Sequence, residues 1–264
     1  MTLAFNHIGR LGQLGNQMFQ YASLKGIAKH RGFDYIIPKH GVEVDALGNR
    51  LRTELFDPFD LDVTVGVLNV EYIQEPHFQF SEELFNTCPD NVSLYGFFQT
   101  EKYFRHIRDE IIKDFSFKNE IIDECQDILQ VFENPIALHL RRGDFLINYK
   151  NHHNQTLQYY SKALEYFPKN QQVIVFSDDS KWCKEQELFS DDRFLISEGN
   201  SPYHDLYLMS RCKDFIIANS SFSWWGAWLS DYNKVIAPSI WFGPNNKDKN
   251  TNDIYCSDWI KVGD

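Results

Sequence analysis

The stretch His139-Leu140-Arg141-Arg142-Gly143-Asp144 decides the reading of this chain. It follows Pro135-Ile136-Ala137-Leu138, a short apolar run that predicts a buried strand over Ile136–Leu140. Two adjacent arginines at the carboxyl end of such a strand are costly unless something pairs with them. In open α/β sheets that end is where ligands sit, and the guanidinium fork matches phosphate oxygens two at a time. One reading is therefore a site for a phosphorylated ligand, a nucleotide first among them. The other is a surface loop whose arginines pair with nearby carboxylates. The segment alone leaves both open, because Arg recognises carboxylate and phosphate alike.

Working outward, strand and helix signals alternate. Helical spacing covers Thr156–Phe167 and stops at Pro168; Val173–Phe176 is a β-branched strand. Further segments are Asp179–Leu188 (helix), Phe194–Ile196 (strand), Tyr203–Cys212 (helix), Phe215–Ala218 (strand), Phe222–Leu229 (helix) and Val235–Ala237 (strand). Strands separated by helices predict a mainly parallel sheet covered on both faces. Before this half, Leu3–Ile8 reads as a strand and Asn16–Lys29 as an amphipathic helix stopping near Gly32. Tyr35–Ile37 and Val92–Phe97 read as strands, and Glu101–Phe115 and Asn119–Phe132 as helices. Gly41–Phe80 shows no clear period. Asn134-Pro135 marks a break, so the expected domains are 1–133 and 134–264. Trp241, Tyr255 and Trp259 argue that the tail docks rather than dangles.

The chain of 264 residues is 43 % apolar, enough for a sizeable core. Its formal charge of −11 argues against a nucleic-acid or anionic-membrane surface, so a bound phosphate needs a local basic cluster. The five cysteines are widely spaced, without a Cys-x-x-Cys pair, which disfavours a disulfide framework or zinc knuckle. No basic start precedes a long apolar run and no stretch is long enough to span a bilayer, so the expected location is cytoplasmic. No His, Asp or Glu set has metal-ligand spacing, and no metal is expected.

Three further strand-to-helix junctions carry candidate chemistry. Gly9-Arg10-Leu11-Gly12-Gln13-Leu14-Gly15-Asn16-Gln17 leads glycines into a helix, whose start offers N–H groups to an anion; taken alone, a tight turn with a glycine cap is the stronger reading. In Phe176-Ser177-Asp178-Asp179 one aspartate can cap the next helix while the other accepts bonds from a base edge or a ribose. In Asn219-Ser220-Ser221-Phe222 the hydroxyls and N–H groups suit a phosphate, while Trp224, Trp225 and Trp228 have the spacing of a helix core.

Together these blocks resemble the α-1,2-fucosyltransferases of glycosyltransferase family 11. Gly12–Ala22, Phe176–Trp182, His139–Phe145 and Asn219–Leu229 carry the resemblance, which spans nearly the whole chain. The resemblance implies an α/β, GT-B-like fold of two Rossmann-type domains facing a central cleft. The N-terminal domain would serve the acceptor and the C-terminal one the GDP-sugar. It implies GDP-β-L-fucose as donor, no cofactor, inversion without a metal, and transfer to the 2-hydroxyl of a galactose-terminated glycan. If that acceptor is lipid-linked, the protein would sit peripherally at a membrane. The carry-over gives Arg141 the charge on the departing diphosphate, with Arg142 assisting or packing. His139 would contact the phosphates or ribose, Asp178 the guanine edge, and Ser220, Ser221 and the Phe222 backbone the diphosphate. Asn16 would approach the pyrophosphate from the other domain. Asp144 is the nearest carboxylate for the acceptor proton, or else an ion-pair partner of the arginines. Two departures stand out: Gly9-Arg10-Leu11-Gly12 lengthens the glycine-rich turn, and Phe145 stands where the family often has Tyr. Alternatives are another linkage or acceptor, or a GDP-sugar-binding protein without turnover.

Overall fold

A computed structural model describes residues 1–39, 41–44 and 50–263. The chain divides into two compact α/β units, Met1–Lys118 with Lys249–Cys256, and Asn119–Asp248 with Ser257–Asp264.

In the first unit β1 (Thr2–Ala4), α1 (Leu14–Arg31) and β2 (Asp34–Ile36) form a parallel crossover. β3 (Gly41–Val44) and β4 (Arg50–Thr53) pair antiparallel as a separate ribbon. β5 (Tyr72–Gln74), α2 (Glu82–Thr87) and β6 (Val92–Tyr95) follow, and the order β2-β1-β6-β5 is parallel throughout. The patternless Gly41–Phe80 thus contains three short strands; within it, 45–49 lie outside the described residues.

Helix α1 ends on Gly32 in the left-handed conformation, where a residue without Cβ is unstrained. The expected amphipathic helix is instead buried on nearly all sides from Leu14 to Ala28. Its polar residues face inward because each staples a loop. Gln17 Nε2 donates to the Arg52 carbonyl (2.9 Å) and its Oε1 accepts from Glu54 N–H (2.7 Å). Gln20 Nε2 donates to the carbonyls of Leu11 (3.1 Å) and Gly96 (3.0 Å), and Ser23 Oγ to that of Phe98 (3.2 Å). The helix expected over Glu101–Phe115 breaks into two 3₁₀ turns, Glu101–Tyr103 and Arg105–Ile107, before α3 (Arg108–Asp114). Tyr103 and Phe104 are fully buried, and the Tyr103 carbonyl lies so close to Gly26 that a Cβ there would meet it at 2.0 Å. Tertiary anchoring of this turn overrides the helical period.

The second unit starts earlier than Asn134. Helix α4 (Asn119–Gln130) belongs to it because α4 packs against a later helix of that unit, where His204 Nε2 lies 2.7 Å from Glu124 Oε2. The remaining elements are β7 (Ile136–Leu140), α5 (Gly143–Ile147), α6 (Leu157–Leu164), β8 (Val173–Ser177), α7 (Ser180–Lys184), β9 (Phe194–Ile196), α8 (Pro202–Ser210), β10 (Asp214–Ile216), α9 (Ser221–Trp228), β11 (Lys234–Pro238) and β12 (Ile260–Val262). All six strands are parallel in the order β12-β11-β10-β7-β8-β9. Counted from β7 this is the doubly wound order 3-2-1-4-5-6, whose direction reverses between β7 and β10. β7 is buried along its whole length, as a central parallel strand should be. Trp224, Trp225 and Trp228 are core, joined by Trp259; Trp241 and Tyr255 are also buried. The docked tail adds the edge strand β12, which the sequence pattern did not show.

Candidate active site

The switch point of the second unit brings together the ends of β7 and β10. His139, near the end of β7, and Phe222, at the start of α9, have ring centroids 5.6 Å apart. Residues His139, Arg141, Arg142, Asp144, Asp178, Ser220, Ser221 and Phe222 therefore all lie on strand-to-helix junctions at one end of one sheet. Asn16 belongs to the first unit.

Strand register explains the arginine site. β7 and β8 pair in parallel with His139 opposite Phe176 and Leu140 opposite Ser177. Continuing that offset sets Arg141 level with Asp178 and Arg142 level with Asp179. Both pairs form: Arg141 Nη1 lies 3.0 Å from Asp178 Oδ2, and Arg142 Nε 3.1 Å from Asp179 Oδ2. Asp178 Oδ1 also accepts the Arg142 backbone N–H at 2.8 Å. Gly143 rests directly on this carboxylate, since a Cβ there would stand 2.7 Å from Asp178 Oδ2. Asp179 accepts from Trp182 N–H (3.2 Å), capping α7, and the Trp182 ring carries the Arg142 guanidinium 3.5 Å from its centroid. A third carboxylate, Asp144 on the first turn of α5, lies 2.6 Å from Arg141 Nη2. One N–H of Arg141 donates to Asp144 and Nη1 is ion-paired with Asp178, so the five-donor fork retains capacity for an anion.

The sequence reading gives Asp178 to a guanine edge. In the structure both its oxygens are engaged by the Arg141–Gly143 turn. Asp144 adopts the ion-pair geometry with Arg141. Asp179 caps and pairs at once. His139 is 4 % exposed, and its Nδ1 has no partner among the described residues. Burial, helped by the charge of Arg141, pushes its pKa down to about 3, so the ring is neutral at pH 7 and adds no positive charge to the site.

At the start of α9, Ser220 Oγ accepts from Phe222 N–H (3.3 Å). The backbone donor given to the diphosphate is thus held by the cap in this structure. Asn219, buried at 4 % exposure, has no assigned role in the sequence reading. Its Nδ2 donates to the carbonyls of His153 (2.8 Å) and Trp241 (2.7 Å), and its Oδ1 accepts from Gln155 (3.0 Å). It ties three loops behind the junction.

In the first unit, Gln13 precedes α1 without a side-chain cap. The Glu54 carboxyl lies near the Leu14 N–H, and burial raises its pKa against the lowering influence of that donor. The start of α1 therefore already holds a carboxylate. Asn16 Oδ1 accepts from Gln99 Nε2, and its side chain lies over Gly12. No sequence signal pointed to Glu54, which lies forty residues along the chain from Leu14.

Two Rossmann-type units, one with an arginine pair at its switch point, place the chain in the GT-B-like class of α/β proteins. The profile of Glycosyl transferase family 11 matches residues 3–263, and the chain belongs to that family. It is 32 % identical to an alpha-1,2-colitosyltransferase of Escherichia coli, over 95 % of this chain and 96 % of that protein. It is 26 % identical to galactoside alpha-(1,2)-fucosyltransferase 2 of Sus scrofa, over 84 % of this chain and 69 % of that one. Among solved structures it resembles in fold the NodZ alpha-1,6-fucosyltransferase soaked with GDP-fucose, with a TM-score of 0.59 at 15 % identity, covering 90 % of this chain and 95 % of the other. All five cysteines are buried and none forms a disulfide. No helix among the described residues is long and apolar enough to cross a membrane.

Proposed function

We propose that this protein transfers L-fucose from GDP-β-L-fucose to the 2-hydroxyl of a terminal galactose in a glycan, with inversion and without a metal. The observation that carries the proposal is Arg141, held by Asp178 at the switch point of the second unit in a chain of this family. In the reaction the bond from the fucosyl anomeric carbon to the β-phosphate oxygen breaks, and GDP departs with the electron pair. The acceptor oxygen bonds to the opposite face of that carbon and loses its proton. Charge grows on the β-phosphate, and Arg141 is the cation placed to stabilise it. Arg142, lying on Trp182, supports the same turn. His139, Ser220, Ser221 and Phe222 are the residues at that junction assigned to the nucleotide. Asp144 is the carboxylate assigned to the acceptor proton. The work would take place in the cytoplasm, at a membrane surface if the acceptor is lipid-linked.

The test is GDP release from GDP-fucose in EDTA, with and without lactose, for the wild type and Arg141→Ala. Lactose-dependent release that falls about 10²–10³-fold in the variant supports the reading; linkage analysis of the product then checks the 2-position. GDP binding without release for any galactoside overturns the acceptor assignment. A second donor is favoured by the colitosyltransferase relative, at 32 % identity over nearly the full length of both chains. Running GDP-colitose beside GDP-fucose decides which sugar is transferred faster.

A further inference from the structure

We propose that the two carboxylates on Arg141 have opposite roles. Asp178 is a fixed positioning residue that aims the guanidinium, and Asp144 is an exchangeable counter-ion that the nucleotide diphosphate displaces. The proposal rests on the reading of Arg141 as the diphosphate ligand.

The two carboxylates are held very differently. Asp178 follows strand β8 and is tied at both oxygens: Oδ2 to Arg141 Nη1 at 3.0 Å and Oδ1 to the Arg142 N–H at 2.8 Å. The backbone of Gly143 lies against it, leaving no room for a Cβ. Its side chain is 26 % exposed. Asp144 sits three residues from Arg141 on the five-residue helix α5, makes a single 2.6 Å contact with Nη2, and is 62 % exposed. An exposed pair of this kind is weak and screened, whereas phosphate binds a guanidinium through charge-assisted, often bidentate bonds. Diphosphate therefore competes with Asp144 at Nη2 and leaves Asp178 in place.

Charge supports the same division. With no nucleotide, two guanidiniums face three carboxylates: Asp144, Asp178 and Asp179. The junction is then net negative and would repel a diphosphate unless one carboxylate withdrew. Asp178 and Asp179 are built into the turn and the α7 cap, so Asp144 is the one free to leave. Asp178, with both oxygens engaged, is also poorly placed to read a base edge, which needs acceptors turned to the base.

The experiment is calorimetric binding of GDP to the full chain for wild type, Asp144→Asn and Asp178→Asn, each repeated with Arg141→Ala. Asn at 178 keeps an oxygen for the Arg142 N–H, and thermal melts check that each variant is folded. Asp144→Asn removes the competing anion and is expected to tighten GDP about two- to fivefold, a gain that fades in high salt. Asp178→Asn is expected to weaken GDP about tenfold. Both effects should vanish in the Arg141→Ala background, because both act through that guanidinium. The ratio of GDP to inosine diphosphate affinity, which senses the guanine amino group, should not change in Asp178→Asn. Weaker binding by Asp144→Asn, a changed GDP-to-inosine diphosphate ratio, or a loss from Asp178→Asn that persists without Arg141 overturns the proposal. A wild type that binds no GDP, or binds it equally without Arg141, overturns the diphosphate reading itself and the exchange with it.

Discussion

Replacing Gly143 by Ala adds one methyl group at the point where the arginine turn rests on Asp178. The new Cβ would stand 2.7 Å from Asp178 Oδ2, while ordinary contact begins at 3.4 Å. The carboxylate must therefore retreat by about 0.7 Å. It cannot do so by swinging freely, because its other oxygen is held by the Arg142 N–H. A retreat of that size lengthens the Arg141 Nη1–Asp178 Oδ2 ion pair from 3.0 Å to about 3.7 Å and disturbs the charged hydrogen bond from the Arg142 N–H to Oδ1. A hydrogen bond to a charged group contributes about 1.5–3 kcal/mol, so if the aim of Arg141 matters at the transition state kcat/KM should fall about 10- to 150-fold. Stability should change far less. Gly143 begins α5, where Ala favours the helix by up to ~1 kcal/mol and offsets part of the crowding. The assay is steady-state GDP release with a galactoside acceptor, alongside thermal melts of both proteins. A variant with wild-type melting and kcat/KM within twofold of wild type would refute the claim that Asp178 aims Arg141.

Two more predictions concern stability. Burial pushes the Glu75 carboxyl up to about 7, against the hydrogen bonds it accepts from the Phe97 and Phe98 N–H groups. Because this pKa is raised on folding, the contribution is present in full below about 4.5 and is lost as pH rises to about 7. The loss amounts to about 3 kcal/mol. Urea midpoints of the wild type should therefore fall over this window more steeply than those of Glu75→Gln; parallel curves would contradict the burial argument. Asn219→Ala removes one acceptor and two donors from a site 4 % exposed and with them the bonds to the His153 and Trp241 carbonyls and to Gln155, so it should destabilise the protein by about 2–4 kcal/mol. A guanidinium chloride midpoint unchanged from wild type would show that water replaces Asn219 at no cost.

The second sheet was legible where physics is local. Ile136–Leu140 and Phe194–Ile196 fall where the apolar runs placed them, and Gly32 stops α1 as a left-handed cap. What the pattern missed was set by tertiary contact. Tyr103 and Phe104 break a helical period by anchoring beside Gly26, and Gln17, Gln20 and Ser23 look like a polar face but point inward. The candidate site was half legible for the same reason. Arg141, Arg142 and Asp144 announce themselves as neighbours in sequence, and Asp178-Asp179 stand out as a pair after a strand. That consecutive aspartates meet consecutive arginines depends on the β7–β8 register, which no single segment encodes. Glu54 at the start of α1 is a longer-range case still.

The excursion of the chain near its end also matters for how the protein is made. Residues Lys249–Cys256 complete the first unit: Asp253 binds the Phe80 N–H and the Lys102 ammonium, and Ile254 is buried. Only afterwards does β12 close the edge of the second sheet. On a ribosome neither unit can reach its final form until the codons for residues 249–262 have been translated, however early its other strands emerge. The nascent chain must carry a first unit without its Lys249–Cys256 segment and a second sheet without β12 through most of its synthesis. Stalling or cutting in this late stretch should cripple the first unit as surely as the second, although most of the first is encoded more than a hundred codons upstream.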